Sequence, residues 1–138
     1  MTAKKLTTRY NTAMLIDDNE IDNIINEKML ESTGFAERIQ IYTNGVSALE
    51  FFKNLERDKD LNRDMIPDVI FLDINMPLMD SFQFVQEFSN LNKVITKDCK
   101  IAILTTSINP SDKERSLKNE YVVDFINKPL TKESLDKL

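Results

Sequence analysis

The sequence predicts a single α/β domain built on a doubly wound, five-stranded parallel sheet, and three observations carry that expectation. Five short apolar runs alternate with segments of helical periodicity, and none is joined to the next by a hairpin signal. Such alternation gives right-handed βαβ units. One run, Val69-Ile70-Phe71-Leu72, lacks polar alternation altogether, as a strand covered on both faces should. The chain has 138 residues, 41% of them hydrophobic, enough for one well-buried core.

Each element follows in order. "TAMLID" (12 to 17) is a first strand, and the apolar positions 21, 24, 25 and 29 make Glu20 to Thr33 an amphipathic helix. Gly34 stops it, and "RIQIYT" (38 to 43) alternates as a half-buried strand. Asn44-Gly45 reads as a turn, Val46 to about Leu55 as a second helix, and "ERDKDLNRDM" as a long solvated loop. "DVIFLD" (68 to 73) is the central strand, and Phe84, Val85, Phe88 and Leu91 stripe a third helix. "KIAILTT" (100 to 106) is a fourth buried strand. Asn109 and Pro110 cap and open a polar fourth helix, and "VVDFIN" (122 to 127) is the fifth strand. Thr131 caps a last helix of eight residues, about 12 Å long.

The bulk numbers exclude several functions. There are 23 acidic and 18 basic side chains, a net charge of −5, so no broad positive field exists to hold nucleic acid. No window reaches the length of a membrane span, and neither an intramolecular disulfide from the lone Cys99 nor an Asn-x-Ser/Thr sequon is available. The expectation is a cytoplasmic protein without membrane or direct nucleic-acid partners. With no histidine, Ser/His/Asp hydrolysis, most zinc sites and a histidine phospho-carrier role are excluded for this chain.

Ligands of doubly wound sheets bind beyond the carboxyl ends of the strands. Those ends carry Asp17 and Asp18, Thr43 and Asn44, Asp73 and Asn75, Thr105 to Ser107, and Lys128. Three acids brought together repel one another unless a cation intervenes or one is protonated. Mg²⁺ suits carboxylates plus a backbone carbonyl and leaves positions for phosphate oxygens. A carboxylate beside Mg²⁺ and a lysine can attack phosphorus and form an acyl phosphate. Asp73, at the end of the most buried strand, is the best candidate.

"LIDDNE", "FLDINMPLMD", "ILTTS" and "NKP", in this order and at these spacings, resemble the CheY-like receiver domain of two-component response regulators. The likeness divides the chain into an extension (1–11) and a receiver domain (12–138) whose last helix is short or truncated. It implies a flavodoxin-like sheet in the order 2-1-3-4-5. It also implies Asp73 as phosphoacceptor, Lys128 as phosphate contact, and Mg²⁺ (Mn²⁺ as alternative) on Asp18, Asp73 and the Asn75 backbone carbonyl, with Asp17 reached through water. Thr105 and Phe125 are then the switch pair, and Asn75 and Ser107 tune hydrolysis. A small hydroxyl at Ser107 implies a longer-lived phosphoryl group than an acid there would.

The implied partners are a sensor histidine kinase or phosphotransfer protein, and a downstream protein or second copy on the face of the fourth helix, fifth strand and fifth helix. The implied role is regulatory rather than enzymatic, a domain assisting its own phosphorylation and dephosphorylation. Ser81 departs from the glycine usual after the "MPLMD" loop. Two alternative functions remain to be set against this one. A haloacid-dehalogenase-like phosphatase needs a second Asp two residues after its nucleophile, where this chain has Asn75. A degenerate receiver acting only as a docking module does not need the intact acidic pair, Thr105 and Lys128.

Overall fold

The computed structural model describes residues 8–106 and 108–138. Strands β1 (Tyr10–Ile16), β2 (Ala36–Tyr42), β3 (Val69–Asp73), β4 (Lys100–Thr105) and β5 (Val122–Asn127) form one parallel sheet in the order β2-β1-β3-β4-β5. This is the expected doubly wound, flavodoxin-like architecture. Every residue of β3 is buried, and β1 and β4 are buried over nearly their whole length. The edge strands β2 and β5 mix buried and exposed positions. Hydrophobic pattern thus tracks place in the sheet, because only inner strands are covered on both faces.

The helices α1 (Glu20–Ser32), α2 (Gly45–Arg57), α3 (Ser81–Ser89), α4 (Pro110–Leu117) and α5 (Lys132–Asp136) divide between the two faces. On one, Met14, Ile16, Ile70 and Leu72 meet Phe52 of α2 and Phe84 and Phe88 of α3. On the other, Ala13, Leu15, Val69 and Phe71 meet Leu30 of α1 and Leu135 of α5. Phe51 and Phe82 are only partly buried. No helix among the described residues is long and apolar enough to cross a membrane.

Three of the four apolar positions read in α1 face outward, and only Met29 packs against the core. Ile21, Ile24 and Ile25 are 67%, 52% and 46% exposed, whereas Asn23, Asn26 and Leu30 are buried. The helix abuts backbone groups that need polar partners. Asn23 Nδ2 donates to the Asp17 carbonyl at 2.8 Å, and Asn26 Oδ1 accepts the Leu130 N–H at 3.0 Å. Isoleucine could satisfy neither.

Other differences are local. Asn44-Gly45 is a helix start: the Asn44 side chain accepts the Ser47 N–H, and a Cβ on Gly45 would come 3.3 Å from Met79 Sδ. The polar segment after Leu55 begins inside α2 and contains a 3₁₀ turn, Arg63–Met65, capped by Asn62. Leu91 lies past the end of α3, and a helical turn, Lys93–Thr96, follows on an Asn92 cap. The last helix has five residues rather than eight. Arg9 donates to the Leu135 and Leu138 carbonyls, both at 2.7 Å, so the short helix is held at its end. Ser81 needs no unusual backbone. It opens α3 behind an Asp80–Gln83 capping box, and the loop's positive φ falls on Leu78, at 73°.

Candidate functional site

Strand register builds the site. Ile16 pairs with Leu72, so Asp17 and Asp73 leave adjacent strands side by side. Asp73 pairs with Leu104 and Thr105 with Asn127, setting Thr105 and Lys128 at the neighbouring ends. Backbone bonds continue the alignment past the strands: Asp17 N–H to Tyr42 O at 3.1 Å, Ile74 N–H to Leu104 O at 2.9 Å, and Lys128 N–H to Thr105 O at 2.7 Å. Asp17, Asp18, Asp73, Asn75, Thr105 and Lys128 line one cleft of about 180 Å³, and Asp22 joins them.

Lys128 sits among the acids. Its Nζ donates to Asp17 Oδ2 at 2.7 Å and Asp22 Oδ2 at 2.8 Å, and lies 3.2 Å from Asp73 Oδ1. Burial alone would lower its pKa, but the hydrogen bonds to Asp17 and Asp22 and the charge of Asp73 outweigh it and hold the ammonium above its usual range. Asp73 is pushed up to about 6 by burial and by the Asp17 charge, against the pull of Lys128.

Carboxylate oxygens of Asp17, Asp18 and Asp73 all lie within 4.8 Å of one another. Both Asp17 oxygens are engaged, one by Lys128 and the other by the Asn19 N–H at 2.9 Å. Asp18 is exposed, and its carboxylate has no hydrogen-bond partner among the described residues. An all-oxygen set with one carboxylate free and one destabilised as an anion fits a hard divalent cation.

A family model for the response regulator receiver domain matches residues 13–138. The chain belongs to that family. A sensor histidine kinase, CheAY, from Helicobacter pylori is 32% identical over 122 residues, 88% of this chain but 14% of the kinase. Against a hybrid signal transduction histidine kinase from Dictyostelium discoideum, 31% identical over 78% of this chain, the share of the relative is 7%. The receiver domain thus spans a small part of the first curated relatives it matches. A two-component response regulator from Cytophaga hutchinsonii superposes with a TM-score of 0.81 at 26% identity, covering 92% of each chain. The receiver domain of a Pseudomonas aeruginosa sensor histidine kinase, solved with magnesium coordinated in its active-site cleft, gives 0.69 at 23% identity over 92% of each chain.

Phe125 lies in the core on β5, 5% exposed and paired in register with Ile103. Ser107 lies outside the described residues. Cys99 is buried, donates to the Pro67 carbonyl at 3.1 Å, and has its thiol pushed up to about 12, chiefly by burial, so it is inert at neutral pH. The Lys128-Pro129 bond is cis. Sequence reasoning missed Asp22, whose contact with Lys128 spans 106 residues. Its only sequence signal was an acid in the first turn of α1, which ordinary helix-dipole preference also explains.

Proposed function

We propose that this receiver domain takes a phosphoryl group onto Asp73 in a divalent-cation-dependent step and passes the change to a protein-binding face. The observation that carries the reading is the placement of Lys128 Nζ 3.2 Å from Asp73 Oδ1 inside a cleft walled by three further acids, Asp17, Asp18 and Asp22. Asp73 is buried, 7% exposed, at the end of the central strand β3. Mg²⁺ or Mn²⁺ would be held by Asp18 and Asp73 with the Asn75 carbonyl, and by Asp17 through water. Bound there, it neutralises negative charge on the acids and the transferring group.

This chain's own residues do the rest. Asp73 Oδ forms a bond to phosphorus as the donor's bond to phosphorus breaks, and the electron pair leaves with the donor. Lys128 supplies positive charge to the phosphoryl oxygens. Thr105, 4% exposed at the end of β4, is the hydroxyl drawn toward the group, and Phe125 is the aromatic that responds on β5. Asn75 at the cleft edge and Ser107 beyond Thr105 govern water access and hence hydrolysis.

The partner side follows from the outward isoleucines. Ile21, Ile24 and Ile25 of α1, with Leu78 at 83% and Ile108 at 44% exposure on neighbouring loops, put apolar surface beside an acidic cleft. Such surface suits docking of a sensor histidine kinase or phosphotransfer protein. Output is read by a downstream protein or a second copy on the α4, β5 and α5 face. Helix α4 suits a movable element, since Ser116 is its one buried residue. The domain is then a regulatory phosphoacceptor, working in the cytoplasm. Mixing it with acetyl phosphate and Mg²⁺ and reading intact mass tests this. One added phosphoryl group, lost with a chelator and in Asp73→Asn, supports the reading; an unmodified wild type at every Mg²⁺ level refutes it.

A further inference from the structure

We infer that Asp22 is a positioning residue that latches Lys128 to α1 in the resting domain and so limits the rate at which Asp73 is phosphorylated. The inference rests on the reading of Asp73 as phosphoacceptor. Of the three acids around the ammonium, Asp17 and Asp22 take hydrogen bonds at 2.7 and 2.8 Å, while Asp73 stands off at 3.2 Å. An ammonium has three donors, so two of the three are turned away from the acceptor. Asp17 belongs to the cluster of acids that converge within 4.8 Å, but Asp22 does not. A cation taken up by that cluster competes with Lys128 for Asp17 and leaves the Asp22 bond as the remaining tether.

The latch is itself firmly placed. The Asp22 backbone N–H donates to the Asn19 cap at 3.0 Å, and the carboxylate sits in the first turn of α1, where the helix dipole favours it. Its side chain is 28% exposed against 8% for Lys128, so removing its charge leaves no deeply buried void. With the Asp17 and Asp22 bonds in place Lys128 has one donor left for a phosphoryl oxygen, and presenting a second costs it the Asp22 bond. That cost appears in the barrier and not in the resting state.

The test is a time course of intact mass with acetyl phosphate at saturating Mg²⁺, for wild type, Asp22→Asn, Asp22→Glu, Lys128→Ala and the double variant Asp22→Asn with Lys128→Ala. In each, the Asp73 carboxylate forms an O–P bond as the bridging P–O bond of acetyl phosphate breaks and acetate leaves with the electron pair. The latch predicts phosphorylation roughly three- to fivefold faster in Asp22→Asn, the scale of a partly exposed ion pair. It predicts a rate close to wild type in Asp22→Glu, and no gain from Asp22→Asn once Lys128 is alanine. An Asp22→Asn rate at or below wild type overturns the latch, as does an equal gain without Lys128. A wild type that takes no phosphoryl group overturns the reading of Asp73 and the latch with it.

Discussion

Asn26 on α1 accepts the backbone N–H of Leu130 at 3.0 Å, across 104 residues of sequence, with the Asn26 side chain 1% exposed. This bond ties α1 to the segment that directly follows Lys128 and Pro129. Asn26→Ala leaves a buried N–H without a partner, which costs about 1–3 kcal/mol. Urea unfolding is expected to show that loss. A midpoint equal to wild type would mean that the segment finds another acceptor.

Asp73 yields a pH prediction with a definite sign. Its native pKa of about 6 lies above the unfolded value, chiefly through burial. The native state therefore binds more protons than the unfolded chain between roughly pH 4 and 6, and this group's contribution to stability falls as pH rises through that window. Asp73→Asn removes the contribution. In chelator, the variant is expected to gain on wild type as pH rises, by up to about 3 kcal/mol at neutrality. Mg²⁺ affinity of the wild type should weaken below pH 6, where Asp73 holds its proton. A stability difference that is flat from pH 4 to 7 contradicts the burial account.

Leu78 occupies left-handed backbone at φ 73° while 83% exposed, in a tight turn closed by the Met79 N–H on the Pro77 carbonyl at 2.8 Å. Leucine is strained there, and asparagine tolerates the conformation better. Leu78→Asn is expected to stabilise the domain by roughly 0.5–1 kcal/mol in thermal or urea melts. If Leu78 belongs to the donor surface, the same variant should slow transfer from a protein donor.

Helix α4 buries little side chain. Ser116 is its one buried residue, and the Arg115 guanidinium stacks 3.8 Å above the Phe82 ring of α3. By contrast α3 buries Phe84, Val85 and Phe88. Amide hydrogen exchange is expected to be faster in α4 than in α3. Arg115→Ala, which loses a cation–π contact of about 1 kcal/mol, should widen the gap with little change in overall melting. Equal protection in both helices would argue against α4 as the movable element.

Much of the fold was legible because burial on both faces leaves a mark: the unbroken apolar run before Asp73 is a direct consequence of place in the sheet, whereas the alternation read in edge strand β2 does not carry over into burial, Gln40 being half-buried and Ile41 exposed. The converging residues were legible for a related reason. Parallel strands end on one side, so Asp17, Asp73, Thr105 and Lys128 meet once their strands are recognised. Hydrophobic periodicity misled at α1, where Asn23 and Asn26 face inward to satisfy backbone groups and isoleucines face out. Asp22 was hidden because its partner is set by tertiary geometry and not by spacing. The turn Lys93–Thr96 is too short to leave a period.

The central claim is that the phosphoryl group sits on Asp73. Borohydride reduction of the domain after reaction with acetyl phosphate and Mg²⁺ converts an aspartyl phosphate to homoserine, which peptide mass spectrometry locates. The account predicts homoserine at position 73 alone, dependent on Mg²⁺. Homoserine at position 17 or 18, or none at position 73 in protein that carries the added phosphoryl mass, would contradict it.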